Sequence, residues 1–141
     1  MTVNQTYRKL KILGTVNNTI YLFQKDSKVL LPIKLNNHLL KMPKSFWYFP
    51  DIYNTTKRII LSLNVAIVGI KIYQEEKEMF FSYLSLQNSS DSYEINVSLE
   101  DALLIKEDSE IPIYATEAVL QKCGIPVTKD LIQKAIDLNI E

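Results

Sequence analysis

Period-two alternation of apolar and polar residues runs through most of this chain, and it commits the chain to a sheet. Val65–Tyr73 places Ala66, Val68, Ile70 and Ile72 on one face. Met79–Gln87 turns Phe80, Leu84 and Leu86 inward, and Ser92–Val97 does the same with Tyr93, Ile95 and Val97. Near the start, Tyr7–Leu13 sets Lys9 and Lys11 opposite Leu10 and Ile12. Thr19–Gln24 is β-branched and aromatic, which suits the return strand of a hairpin. Asn17-Asn18 before it suits the tight turn, because Asn tolerates positive φ. Lys25–Lys28 is a second polar turn. Val29–Leu35 is a third strand, and Pro32 within it lacks a ladder donor, so this strand is an edge or carries a bulge.

Between and after these strands the period changes. Asp51–Leu63 is helical, with Ile52, Thr55, Ile59 and Leu63 at helical spacing and Asn64 as its end. Ser98-Leu99-Glu100-Asp101 reads as a capping box: Ser98 accepts from a free N–H of the first turn and Asp101 reaches back. Ile111–Tyr114 is extended. Thr116 caps a helix that Gly124 ends, and Thr128 caps a last one with Leu131, Ile132, Ala135 and Ile136 as its stripe. The class is α+β, with a mostly antiparallel twisted sheet, one helix mid-chain and short helices in the last third. The 141 residues amount to one domain, 1–141, without repeat or linker.

Several classes fall away. The longest uncharged run in the middle of the chain, Ile59–Ile70, has twelve residues, short of the roughly 20 of a membrane span. The N-terminus has no secretory pattern, so a cytoplasmic setting and no membrane partner are expected. Cys123 is the single cysteine, which excludes an intrachain disulfide and a cysteine metal site. The net charge of zero hides a split: residues 1–71 carry eleven Lys or Arg and two acids, residues 72–141 five Lys and fourteen acids. One basic and one acidic surface follow if the split survives folding. That would serve a polyanion partner, self-association or mutual neutralisation.

Candidate chemistry is sparse. No phosphate-binding loop, dinucleotide fingerprint or zinc pattern is present, and His38 is the only histidine. Cys123 precedes Gly124 at the electronegative end of a helix, a place that raises a thiol pKa. Glu75, Glu76 and Glu78 cluster in one turn, and Glu107, Asp108 and Glu110 follow a helix, where solvation explains them as well as metal binding does. The aromatic run Ser45-Phe46-Trp47-Tyr48-Phe49-Pro50, near Lys41 and Lys44, is a core lid, a subunit contact or a base-stacking platform.

Four blocks in the C-terminal half carry a resemblance: Ser98–Leu103, Ile111–Ala115, Glu117–Leu120 and Gly124-Ile125. Together they resemble the bifunctional nuclease domain family, named for DNase and RNase activity. The family pattern there reads roughly Asp-x-Arg-x-Ser-Asp-Ala, a Pro-Ile-Tyr-Val segment, then a Glu-x-Val-Leu helix ending in Gly. Leu31-Pro32-Ile33 and Pro50 match it upstream, so the resemblance covers about 7–126, with 127–141 as a C-terminal helix. Where the family has Thr-His-Asp, this chain has Ile52, Tyr53 and Asn54. The Arg of the family's Arg-Pro is Phe49. The first Asp of the later pattern is Asn96, its Arg is Ser98, and only Asp101 stays.

The resemblance implies a nuclease-like domain whose DNase or RNase activity is weak or lost, with Asp101 as the catalytic candidate and Mg or Mn as cofactor if active. The alternatives are a catalytically silent module binding RNA, DNA or a nucleoprotein assembly such as a ribosome, or a structural oligomer. Nucleic acid would meet Arg8, Lys9, Lys11, Lys41, Lys44, Lys57 and Arg58. A homo-oligomer, most simply a dimer, is also expected.

Overall fold

A computed structural model describes residues 6–35, 52–106 and 109–130. Its strands are β1 (Tyr7–Val16), β2 (Thr19–Gln24), β3 (Val29–Lys34), β4 (Ala66–Glu76), β5 (Met79–Gln87), β6 (Ser92–Ser98), β7 (Ile113–Thr116) and β8 (Ile125–Pro126). Its helices are α1 (Ile52–Ser62), α2 (Leu99–Lys106) and α3 (Glu117–Cys123). All strands join one sheet in the order β6-β5-β4-β7-β1-β2-β3-β8. Only β4 and β7 run parallel. The class is α+β, as the alternation requires.

The turns explain the hairpins. Asn17 and Asn18 take φ of 49° and 66°, the left-handed pair that matches strand twist between β1 and β2. Lys77 and Glu78 adopt the same pair, at 52° and 66°, between β4 and β5, although neither is a residue that favours it. Pro32 pairs with Tyr21 in β2. On its other side β8 covers only Val29 and Leu30, so among the described residues Pro32 has no strand neighbour there that would need its missing donor.

One face of the sheet builds the core. Leu10, Leu22, Leu31, Ile33, Ile70, Ile72, Leu84 and Ile113 are buried there with Leu99, Ala102, Leu103, Val119 and Leu120 from α2 and α3. Three expectations about facing need correction. The register shifts between Ile67 and Gly69, so Ile67 packs inward while Val68 turns out at 40% exposure and Ala66 is exposed. Along α1 and the turn after it, Ile52, Ile59 and Leu63 are exposed, and Tyr53 and Ile60 pack against the core instead. On the edge strand β6, Tyr93 and Ile95 are also about half exposed, and only Val97 packs inward.

Caps set the helix ends. Thr116 Oγ1 accepts from the Val119 N–H, and the Gly124 N–H donates to the Leu120 carbonyl at 2.8 Å. Gly124 is not left-handed, with φ −76°. It is glycine because a Cβ would run into Val29 Cγ1 and the Leu120 carbonyl. The Leu131–Ile136 stripe of the expected last helix, His38, and the aromatic run 45–50 lie outside the described residues.

Candidate functional site

The starts of α1 and α2 meet. Tyr53, in the first turn of α1, donates from its hydroxyl to Asp101 Oδ1 at 3.0 Å across 48 residues of sequence. The Asp101 N–H in turn donates to Ser98 Oγ at 3.1 Å. That is the N-cap half of the expected box. The carboxylate that was to reach back is turned to Tyr53 instead. Lys57 lies one helical turn beyond Tyr53 and donates to Ser109 Oγ. Lys106, from α2, donates to the Ser109 carbonyl at 2.8 Å. Folding therefore gathers Tyr53, Asp101 and Ser98, which stand at three family-pattern positions. Asn96 goes elsewhere: its Oδ1 accepts from the Tyr73 hydroxyl at 3.1 Å on the opposite face of the sheet.

The chemistry this trio supports is limited. The Tyr53 hydroxyl donates its proton to Asp101 in the folded chain, the role of a hydrogen-bond donor rather than of a base. Asp101 is one carboxylate, half-buried and already hydrogen-bonded. Mg²⁺ or Mn²⁺ asks for several hard oxygen ligands. Among the described residues, no three His, Cys, Asp or Glu side chains come together as a metal-binding group. Asp51, Glu107 and Asp108 lie outside the described residues.

The basic candidates divide among three places. Arg8 Nε donates to Glu117 Oε1 at 2.9 Å, so that guanidinium is tied to α3. Lys57 and Arg58 belong to α1. Lys9 and Lys11 project from β1 on the sheet face away from the core, both exposed. Lys41 and Lys44 lie outside the described residues. The charge split survives only as two ends of one sheet. Residues 6–35, which form β1–β3, hold six cations and one acid. Residues 66–98, which form β4–β6, hold two cations and five acids. Strand β7 sits between them, and the pairs Arg8–Glu117, Lys71–Glu94 and Lys122–Glu75 mix the two signs.

The outer sheet face holds what the sequence reading missed. One row of paired residues crosses five strands: Lys9, Tyr114, Lys71, Tyr83 and Asn96. Tyr73 and Tyr83 stack at 4.2 Å between centroids, 17° from parallel. The Lys71 ammonium lies 5.3 Å from the centre of the Tyr7 ring and 2.7 Å from Glu94. The Tyr114 ring covers Gly69, whose added Cβ would sit 3.0 Å from its Cε2. The signal was the polar phase of the same alternation, where Lys71, Tyr73 and Tyr83 fall opposite Ile70, Ile72 and Leu84.

Cys123 is half-buried, 3.5 Å from Glu75 Oε2. Burial, then the Glu75 carboxylate, pushes its thiol from 9.0 up to about 11. The direction agrees with the sequence argument, but the cause is burial and a neighbouring anion rather than a helix end. Glu75 is itself held below the usual carboxylate range by Lys122 and by the Glu78 N–H. Glu75, Lys122 and Cys123 line a groove of about 560 Å³ shared with Tyr21, Pro32 and Lys34.

No described helix is long and apolar enough to cross a membrane. A family model described as the bifunctional nuclease domain matches residues 48–136. That span starts after β3 and includes both halves of the Tyr53–Asp101 contact. No curated protein matches the chain.

Proposed function

Since the chain belongs to the bifunctional nuclease domain family, we propose that it engages nucleic acid chiefly as a binding protein, with hydrolysis weak or lost. The observation that carries this reading is the Tyr53–Asp101 hydrogen bond. It ties the one carboxylate kept from the family pattern to a phenol that stands where the pattern has histidine. Phosphodiester hydrolysis needs the charge of its transition state neutralised, by a metal or by Arg. The pattern's Arg is Ser98 here, and Ser98 serves as a helix cap. Binding needs less: exposed cations for phosphates and flat surfaces for bases. RNA, DNA or a nucleoprotein assembly are the partners in view, and a cytoplasmic setting suits the lone protonated thiol.

The test pairs binding with cleavage on the same labelled RNA and single-stranded DNA, with Mg²⁺, with Mn²⁺ and with EDTA. The expected outcome is salt-sensitive binding in all three conditions and little or no cleavage. Multiple-turnover cleavage that EDTA abolishes would refute the loss of activity. No binding at low salt would refute the reading itself.

A further inference from the structure

We propose that the outer face of β1, β7, β4, β5 and β6 is a stacking platform for single-stranded nucleic acid, with Tyr73 and Tyr83 as its aromatic centre. The inference rests on the nucleic-acid reading above and adds where the strand lies and which form it takes. The three described helices pack against the core on the other face. Core residues Leu10, Ile70, Ile72 and Leu84 alternate with its residues and point the other way.

Three observations select the occupant. The first is aromatic. The stacked Tyr73–Tyr83 pair is only partly buried and offers a π surface that an unpaired base can extend, whereas a duplex keeps its base faces stacked within itself. The Tyr73 hydroxyl is held by Asn96, which fixes the ring before any ligand arrives.

The second is charge. Lys9 sits in the same row as Lys71, and Lys11 follows it on the same face. Lys71 is answered by Glu94, while Lys9 and Lys11 have no carboxylate partner among the described residues. A polyanion fits that surplus.

The third is an unmet polar group. Ser85 Oγ is buried in this part of the sheet, paired in register with Gly69 and Glu94, and has no hydrogen-bond partner among the described residues. An unanswered hydroxyl of this kind is uncommon in a folded protein. On this face it is a group that a polar ligand edge can satisfy once the Tyr114 ring, which covers Gly69, shifts aside.

The experiment measures equilibrium binding of fluorescent oligouridine of about 16 nucleotides, and of an RNA duplex, by anisotropy. Wild type is compared with Tyr73→Leu/Tyr83→Leu and with Tyr73→Phe/Tyr83→Phe, each checked by thermal melting. The Leu pair is expected to weaken single-strand binding roughly 5- to 150-fold, the loss of about one stacked base, while the Phe pair keeps it. Duplex affinity is expected to be the lower of the two in wild type. With the two cations of this face that have no carboxylate partner among the described residues, single-strand affinity is expected to fall roughly sevenfold between 50 and 200 mM salt, and Lys9→Gln/Lys11→Gln to remove most of that dependence. If wild type binds oligouridine and folded Leu and Phe pairs bind equally well, the platform is overturned while the nucleic-acid reading stands. If the Leu pair fails to fold, the Lys9→Gln/Lys11→Gln salt slope decides: a slope equal to wild type overturns the proposal. Tighter binding to duplex, or a change in oligomer mass of the Leu pair with oligouridine affinity unchanged, would overturn it too. If wild type binds no nucleic acid, both readings fail together.

Discussion

Asp101 holds two contacts at once, and they can be separated by substitution. Its carboxylate accepts from Tyr53, while its N–H uses Ser98. Asp101→Asn keeps a carbonyl acceptor for the phenol and leaves the N–H in place. It is expected to melt within a few degrees of wild type and to bind nucleic acid normally. Any residual cleavage should vanish, because Asp101 is the one pattern carboxylate retained. Cleavage at wild-type rate by a folded Asp101→Asn protein would detach this residue from catalysis. Ser98→Ala removes the cap and is expected to cost about 1 kcal/mol in chemical denaturation. Cys123 offers a separate check. Its thiol ionises at about 11, above its ordinary 9.0, so the neutral thiol favours the folded state. That contribution is full below pH 9 and is lost as pH rises towards 11. Thiolate absorbance should therefore titrate late, and Glu75→Gln should bring the midpoint down by removing the neighbouring anion. Glu75, held low, acts in the opposite sense: its contribution is present above pH 4.5 and fades as pH falls through its lowered pKa. An acid limb unchanged in Glu75→Gln would contradict that. Local sequence located the Ser98 cap and the resemblance marked Tyr53 and Asp101 as pattern positions, but neither placed the two side chains together. Nothing in local sequence brings Tyr53 to Asp101, because the contact is made by the packing of two helices.

Elements with strong local chemistry were readable, and elements whose facing depends on partners were not. Asn17-Asn18 predicts its turn because Asn tolerates the left-handed region, and the turn forms there. The Lys77-Glu78 turn has the same geometry without such residues, so its position follows from the flanking strands rather than from itself. Lys77→Asn with Glu78→Gly is expected to stabilise the fold by about 1 kcal/mol, since two strained left-handed positions become tolerant ones. Denaturant unfolding reads that gain, and a loss of stability would mean the lysine and glutamate side chains contribute more than their backbone strain costs. Alternation in β4 located the strand but mis-set its first residues, because a bulge adds one residue and reverses phase between Ile67 and Gly69. In α1 the helical period was visible, but it could not say which stripe turns inward. Tyr53 and Ile60 face α2 and the core, leaving Ile52, Ile59 and Leu63 exposed.

At the scale of the whole molecule, the sheet order brings the N-terminal hairpins beside β7, a C-terminal strand. The sequence could not show this, and it turns a half-and-half charge split into two ends of one sheet. We propose that the chain forms a homodimer, with the exposed apolar stripe of α1 as the surface that calls for cover. Light scattering is expected to give about twice the 16.3 kDa chain mass, and Ile59→Glu to halve it. A single-chain mass at every concentration would contradict the dimer. Binding with hydrolysis weak or lost can be read in one reaction. Labelled single-stranded RNA is saturated with wild-type protein in Mn²⁺, and the same sample is read for bound fraction on a native gel and for length on a denaturing gel. The RNA is expected to be fully bound and still intact after prolonged incubation. Shortened RNA that accumulates over many turnovers, or intact RNA that never binds, would contradict it.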